Sequence, residues 1–302
     1  HIRYLLEIIH DTKTLITNSK KDIILDRYKA LTGQNKKYKP KFAGPNPVTL
    51  NYENILPHND INILKNYAVT EKADGIRCLL FITENTGYLI TTKMEVIPTG
   101  LQFPKINGEW LFDGEYITKN KDNQTYKQIN EKNLYLVFDI YYSSITKDIH
   151  KHKFYNSDKR RNTRMKELER FRDSFEDIEL TGEEQIRIDI KTYKYGSNKT
   201  AGTEKDQIKE YKQIFNKCSE ILKSTNQFDY RTDGLILIPT DLGVMGNRLN
   251  PSPSNISGTW DYNFKWKPPE ENSIDFKILT EKSESNRDRI YTIKDENNEL
   301  KT

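Results

Sequence analysis

Cysteine is nearly missing from this 302-residue sequence: Cys78 and Cys218 stand far apart and without metal-ligand spacing. A disulfide scaffold and a zinc ribbon are therefore excluded, and a reducing, cytoplasmic compartment is expected. No apolar run approaches the roughly 20 residues needed to span a bilayer, and no charged-then-apolar segment opens the chain, so no membrane partner is expected. Internal repeats of fixed period are absent, which disfavours a solenoid or propeller. Charge of one sign is not in excess either: 48 Lys and Arg against 44 Asp and Glu leave a net charge of +4. That balance permits a nucleic-acid partner without demanding one, because local basic patches decide such binding.

What is present is enough chain to bury a large core, in one large domain or two smaller ones. The sequence starts at His1 and stops inside a strand pattern, so a piece of a longer polypeptide is expected. Residues 1 to about 35 read as helical, with Ile23, Ile24, Arg27, Tyr28 and Leu31 at helix spacing before the stop at Gly33. The basic stretch Lys36-Lys37-Tyr38-Lys39-Pro40-Lys41 follows. Gly44-Pro45-Asn46-Pro47 then reads as loop and marks a boundary, which separates a helical lead-in (1–40) from the main domain (41–272).

From Tyr67 onward, strand-length apolar and aromatic runs recur at 78–82, 88–92, 110–116, 134–142, 186–193 and 234–238, bounded by Gly, Asn or charged residues. Met165, Leu168 and Phe171 mark one intervening helix; Ile208, Tyr211, Phe215, Cys218 and Leu222 mark another. The expected fold class is α+β, a mostly antiparallel sheet assembly with flanking helices. Segments 195–206 and 241–258, polar and turn-rich, read as surface loops.

The sharpest motif is Glu71-Lys72-Ala73-Asp74-Gly75-Ile76-Arg77. A lysine on a Gly-containing turn between strands can project into a cleft, with an arginine five residues on to hold an anion, which suits covalent chemistry on a phosphate ester. A free lysine has a pKa of about 10.4, so on the order of one molecule in a thousand carries the nucleophilic amine at neutral pH. Nearby cations such as Arg77, Lys265 and Lys267 would favour the neutral form. Alone, such a short match is cheap, and an exposed hairpin turn is the bland alternative. Four more motifs follow in order, however: Phe112-Asp113-Gly114-Glu115, Val137-Phe138-Asp139, Thr232-Asp233-Gly234-Leu235-Ile236 and Phe264-Lys265-Trp266-Lys267-Pro268.

This set resembles the collinear motifs of the covalent nucleotidyltransferases, which comprise mRNA-capping guanylyltransferases and the DNA and RNA ligases. The resemblance runs from about residue 67 to 276. Phe264 to Pro268 with Asn272-Ser273-Ile274-Asp275-Phe276 is similar to the closing signature of capping guanylyltransferases. The Gly44-Pro45-Asn46-Pro47-Val48 stretch and the approach to Lys72 look most like the capping enzymes of large cytoplasmic DNA viruses, which would place the protein in host cytoplasm or virion. The fold implied is a nucleotidyltransferase domain, ATP-grasp-like, followed at 273–302 by the start of an incomplete OB-fold domain.

The resemblance also assigns roles. Lys72 is the nucleophile that takes GMP from GTP as a lysyl-GMP adduct and passes it to the 5′-diphosphate end of RNA. Arg77, Lys265, Lys267, Asp275 and, more loosely, Lys93 and Lys191 would bind nucleotide; Phe138 would stack on the guanine. Glu115 would meet the ribose or share with Asp233 a Mg²⁺ or Mn²⁺ ion, a hard cation that takes one or two carboxylates plus phosphate oxygens. Flanking RNA triphosphatase and methyltransferase domains or subunits are the implied partners.

Each residue has a plainer reading beside this one. Asp113 could simply shape its turn. Alternation puts Phe138 on one strand face with Leu136 and Ile140, and a strand aromatic is by default core. Trp266 reads as core, while Lys93 and Lys191 read as solvated lysines. His150-Lys151-His152-Lys153 reads as an exposed basic turn or part of an RNA-contacting surface instead of a metal site. Two rival functions remain open, an ATP-dependent DNA or RNA ligase and an inactive RNA-binding scaffold subunit.

Overall fold

The computed structural model describes residues 16–158, 160–176, 178–180, 186–198 and 203–272, with isolated positions 282, 293, 294, 300 and 301 beyond them. The chain divides into two compact units, 1–268 and 269–302. Within the second, only the short antiparallel pair β13 (Ile293–Lys294) and β14 (Leu300–Lys301) is described in strand form. Asp275 and most of the expected OB-fold start lie outside the described residues.

The first unit is α+β and holds two sheets. The smaller runs β1 (Pro45–Thr49), β12 (Gly258–Trp266), β11 (Thr232–Pro239), β2 (Tyr67–Ala73) and β10 (Lys194–Tyr195). The larger runs β8 (Glu179–Leu180), β5 (Val96–Gln102), β4 (Thr86–Thr91), β3 (Ile76–Thr83), β6 (Trp110–Ile117), β7 (Asn133–Ser143) and β9 (Ile186–Ile190). Pairing is antiparallel except for β1 with β12 and β7 with β9. Gly44 to Pro47, expected as loop, leads into an edge strand instead. Proline is tolerated at an edge because no further ladder bond is lost there.

Among the described residues, three helices cover the sheets. In α1 (Asn18–Leu31), Thr17 caps the N-terminus by accepting from Lys20 N at 3.2 Å, and Gly33 at φ +67° follows the last turn. Its Tyr28 meets Phe81 of β3 edge-on at 6.2 Å. In α2 (Arg164–Glu176), Phe171 packs on Trp110 and Phe112 of β6 at 4.5 and 5.0 Å. Leu80 pairs with Phe112, so strand alternation places Phe81 and Phe112 on opposite faces of the larger sheet. With both faces covered, β3 is buried without interruption from Cys78 to Thr83. The segment expected as a lead-in thus buries Ile24 and Tyr28 in the same core as the strands.

The third helix, α3 (Glu204–Ser224), lies on the smaller sheet, and its buried residues are Ile214 and Ile221, packed with Tyr67, Val69, Leu235 and Phe264. The stripe that signalled this helix faces outward at Ile208, Phe215 and Leu222. Two apolar rows share the helix, and the sheet takes the one carrying the β-branched pair. The 241–258 segment, expected as a surface loop, is pinned inward by buried Val244 and Ile256 and by Trp260 Nε1 donating to Gly246 O at 2.8 Å.

Candidate functional site

Lys72 is the penultimate residue of β2, and the next two residues past Ala73, Asp74 and Gly75, carry the chain from the smaller sheet to β3 of the larger one. The motif is therefore not a hairpin turn: β2 and β3 do not pair. It crosses between sheets and leaves Lys72 on one wall and Arg77 on the other.

On the Lys72 wall, register decides the neighbours. Thr232 pairs with Ala73 and Leu235 with Glu71, so β11 spends two residues, Asp233 and Gly234, opposite Lys72 alone. This bulge aims the Asp233 carboxylate at the lysine. Lys72 Nζ donates to Asp233 Oδ1 and Oδ2 at 2.7 and 3.0 Å, and Lys267 Nζ lies 2.6 Å from Oδ2. Gly234 sits at φ +146°, and a Cβ there would stand 2.0 Å from the Trp266 carbonyl oxygen, so only glycine lets β11 run this close to the end of β12. Burial pushes the Asp233 carboxyl up, but hydrogen bonds from Lys267 and Lys72 outweigh it and hold the group below its ordinary pKa. The nearest charge to the amine is thus a carboxylate, not the cations expected from the sequence. Lys265 is half-buried one strand step away, and Trp266 packs on the small-sheet core.

The Arg77 wall is built differently. Arg77 Nε and Nη2 donate to Asp113 Oδ1 and Oδ2 at 3.1 and 2.5 Å, and Nη1 donates to the Pro45 carbonyl at 2.9 Å. Asp113 is fully buried in the middle of β6 and also accepts from Tyr141 OH at 2.8 Å. It does not shape a turn, as its place before Gly114 suggested; it anchors the arginine. The pair raises the Arg77 pKa against the opposing effect of burial. Phe138 is not core either. Asp113 pairs with Asp139 and Gly114 with Val137, so Phe138 is the extra residue of a bulge, half-exposed between buried neighbours. The bulge breaks the alternation that grouped Phe138 with Leu136 and Ile140. Its ring lies 5.8 Å from the Arg77 guanidinium and 5.9 Å from Lys191 Nζ.

Lys191, just past β9, is buried instead of solvated, with Nζ 3.5 Å from Glu71 Oε1. Glu71 also accepts from Tyr230 OH at 3.0 Å and from Thr70 Oγ1 at 2.8 Å. Nothing in the sequence marked Tyr230 or gave Glu71 a role; an acid beside the motif lysine was the only available signal. Glu115, opposite Arg77 in β6, has its carboxyl pushed up to about 7 by burial, against the pull of Lys191, Lys72 and Arg77.

Other expected positions fall elsewhere. Lys93 is exposed on the β4–β5 turn, with no side-chain bond to the site among the described residues. His150 is fully buried beside Tyr142, its Nε2 3.1 Å from the Pro253 carbonyl oxygen, and burial lowers its pKa. It belongs to the packing, not to an exposed basic turn. No group of three His, Cys, Asp or Glu side chains placed to hold a metal ion exists among the described residues. An ionised Asp233 fits a hard cation held mainly by substrate phosphates, with Glu115 a second oxygen donor, and does not fit a protein-only cage.

The family profile for the catalytic domain of mRNA capping enzymes matches residues 11–269. A "Probable mRNA-capping enzyme" of Acanthamoeba polyphaga mimivirus is 27% identical over 319 aligned residues, covering 94% of this chain and 25% of that protein's length. Among solved structures, the ligase domain of M. tuberculosis LigD aligns at 13% identity with a TM-score of 0.43, covering 74% of this chain and 59% of that one. A chain named Pmar-Lig_PreS3 aligns at 12% identity with a TM-score of 0.45, covering 85% and 52%.

Proposed function

The chain belongs to the family of mRNA capping enzyme catalytic domains, and on that premise we propose that it is an mRNA guanylyltransferase with Lys72 as its nucleophile. The observation that carries this is the crossing of the Lys72 motif between two sheets, which sets an amine paired to Asp233 across from an anchored arginine and a half-exposed aromatic ring. The guanine stacks on Phe138, with Lys191 at the ring edge and Glu115 accepting from the ribose hydroxyls. Arg77, Lys265 and Lys267 hold the phosphates.

In the first step Nζ gives up one ammonium proton to solvent, the freed lone pair attacks the α-phosphorus of GTP, and the nitrogen loses a second proton to solvent as the phosphoramidate forms. An N–P bond forms as the bond to the β-phosphate oxygen breaks, and pyrophosphate departs with the electron pair. Lys267, already on Asp233, is placed to balance the charge that builds on the phosphates. A divalent cation held by Asp233 would supply further charge neutralisation there. In the second step the 5′-diphosphate of RNA attacks the same phosphorus, the N–P bond breaks, and Lys72 takes up two protons from solvent to return as the ammonium.

Flanking triphosphatase and methyltransferase partners, and a host-cytoplasmic or virion setting, extend the same reading. They are supported by the similarity to a probable viral capping enzyme of which this chain covers 25%. Incubation with α-labelled GTP or ATP and Mg²⁺, followed by denaturing electrophoresis, tests the core of the proposal. A GMP adduct that disappears in Lys72→Ala is expected. An adduct from ATP alone would make the protein a ligase, and no adduct from either would leave a scaffold.

A further inference from the structure

A concavity of about 1210 Å³ lies away from Lys72. One wall is the loop after α1, through Gln34, Tyr38, Lys39 and Lys41; the other is formed by Tyr142 and Lys147 at and beyond the end of β7.

That loop is preformed. The Gln34 side chain bridges its two ends, donating to Lys41 O and accepting from Lys41 N, both at 2.8 Å, and Tyr28 OH accepts from Ala43 N at 2.7 Å. On this closed ring Lys36, Lys37, Lys39 and Lys41 are exposed, and Tyr38 is 70% exposed. None of these lysines, nor Lys147, has a carboxylate within ion-pair distance among the described residues. The two acids in the lining are already engaged: Glu109 by Arg27 at 3.6 Å and by Thr83, Asp148 by Lys151 at 2.5 Å. The uncompensated charge is positive: Lys39, Lys41 and Lys147 line the groove, Lys36 and Lys37 stand beside it on the same loop, and Tyr38 adds an exposed aromatic ring. A positive groove with a stacking platform is the arrangement that holds a single-stranded polynucleotide.

Two segments that line the groove continue in the chain toward the site. Ala43 lines it, and the next residue, Gly44, sits so close to the Arg77–Asp113 pair that a Cβ there would stand 2.7 Å from Arg77 Nη2. Along the opposite wall, Tyr142 is four residues from Phe138, about 13 Å at strand rise.

We propose that this groove binds the single-stranded RNA acceptor behind its 5′ end, with Lys36, Lys37, Lys39 and Lys41 on phosphates and Tyr38 stacked on a base. The inference rests on the guanylyltransferase reading for its choice of RNA. The test uses the full chain with a fluorescent single-stranded oligoribonucleotide, and anisotropy is read across a salt series. The quadruple variant K36A/K37A/K39A/K41A should bind at least about tenfold more weakly, with a salt slope reduced by about 2 to 3. Tyr38→Ala should lose about fivefold or more with its slope unchanged. Both should form the GMP adduct at the parent rate, and both should transfer it normally to a 5′-diphosphate dinucleotide, which is too short to reach the loop.

Unchanged RNA affinity and slope in the quadruple variant would overturn the groove. An equal loss of affinity for duplex RNA would overturn its single-strand character. Failure of the parent to form any GMP adduct would instead remove the guanylyltransferase reading, while the anisotropy still decides whether the groove binds RNA.

Discussion

The two walls of the cleft handle charge in opposite ways. On the small-sheet wall, Lys72 and Lys267 share one carboxylate, and all three side chains keep some contact with solvent. On the large-sheet wall, Arg77 is locked to an aspartate with no solvent exposure that a tyrosine also holds. The first wall is a set of charges that exchange partners when an anion or cation arrives. The second is a platform whose charges are settled at folding. Loss of a charge should therefore be read as lost rate on one wall and lost stability on the other.

The largest effect expected is at the nucleophile. Lys72→Ala should abolish the nucleotide adduct while changing stability by roughly 1 kcal/mol or less, because Asp233 keeps Lys267. Lys72→Arg should fail equally, since a guanidinium stays protonated and cannot attack. Adduct labelling together with chemical denaturation checks both, and an active Lys72→Arg would break the assignment.

Asp233 and Asp113 then test the contrast directly. Asp233→Ala should slow adduct formation by at least about 100-fold with a modest stability change. Asp113→Ala strands a half-buried guanidinium and a buried hydroxyl, and should destabilise by about 3–5 kcal/mol. Urea melts beside single-turnover rates separate the two. If Asp113→Ala melts like the parent protein, the platform is not settled at folding.

A smaller effect is expected at Phe138, where replacement by Ala should raise the KM for GTP about tenfold with kcat less affected, because a stacking face is lost and no reacting group moves. Smallest is a pH effect in the unliganded protein. The Glu115 pKa is raised to about 7 on folding, so its contribution to stability is complete below the unfolded carboxyl range and is lost as pH rises through 7. The Tm should fall between pH 5 and pH 8, and Glu115→Gln should flatten that fall. An unchanged slope in the variant would assign the titration to another group.

Strands β3, β4, β6, β7 and β9 of the larger sheet and β11 of the smaller were legible because each is a short apolar run with turn residues at its ends. The edge strand β1 was not, since two prolines in five residues mimic a loop until β12 supplies the partner. Lys72, Arg77, Asp233 and Lys267 were legible as motifs, and the structure brings Lys72, Asp233 and Lys267 into direct contact. For Asp113, Phe138, Lys191 and His150 the plainer readings failed for one shared reason: exposure and orientation depend on bulges and on residues far away in sequence. Period-two alternation cannot register an extra residue in a ladder.

What the sequence determined by itself is local: the order of the five motifs, the lysine beside a Gly-containing turn, and the basic loop with its tyrosine. Such features are set by neighbours within a few residues. The tertiary structure alone decided that Lys72 meets an aspartate 161 residues away, that Asp113 holds Arg77, and that two bulges turn Asp233 and Phe138 toward one cleft. Strand pairing between distant segments fixes these contacts, and register, set by packing across two sheets, carries the side chains to their partners.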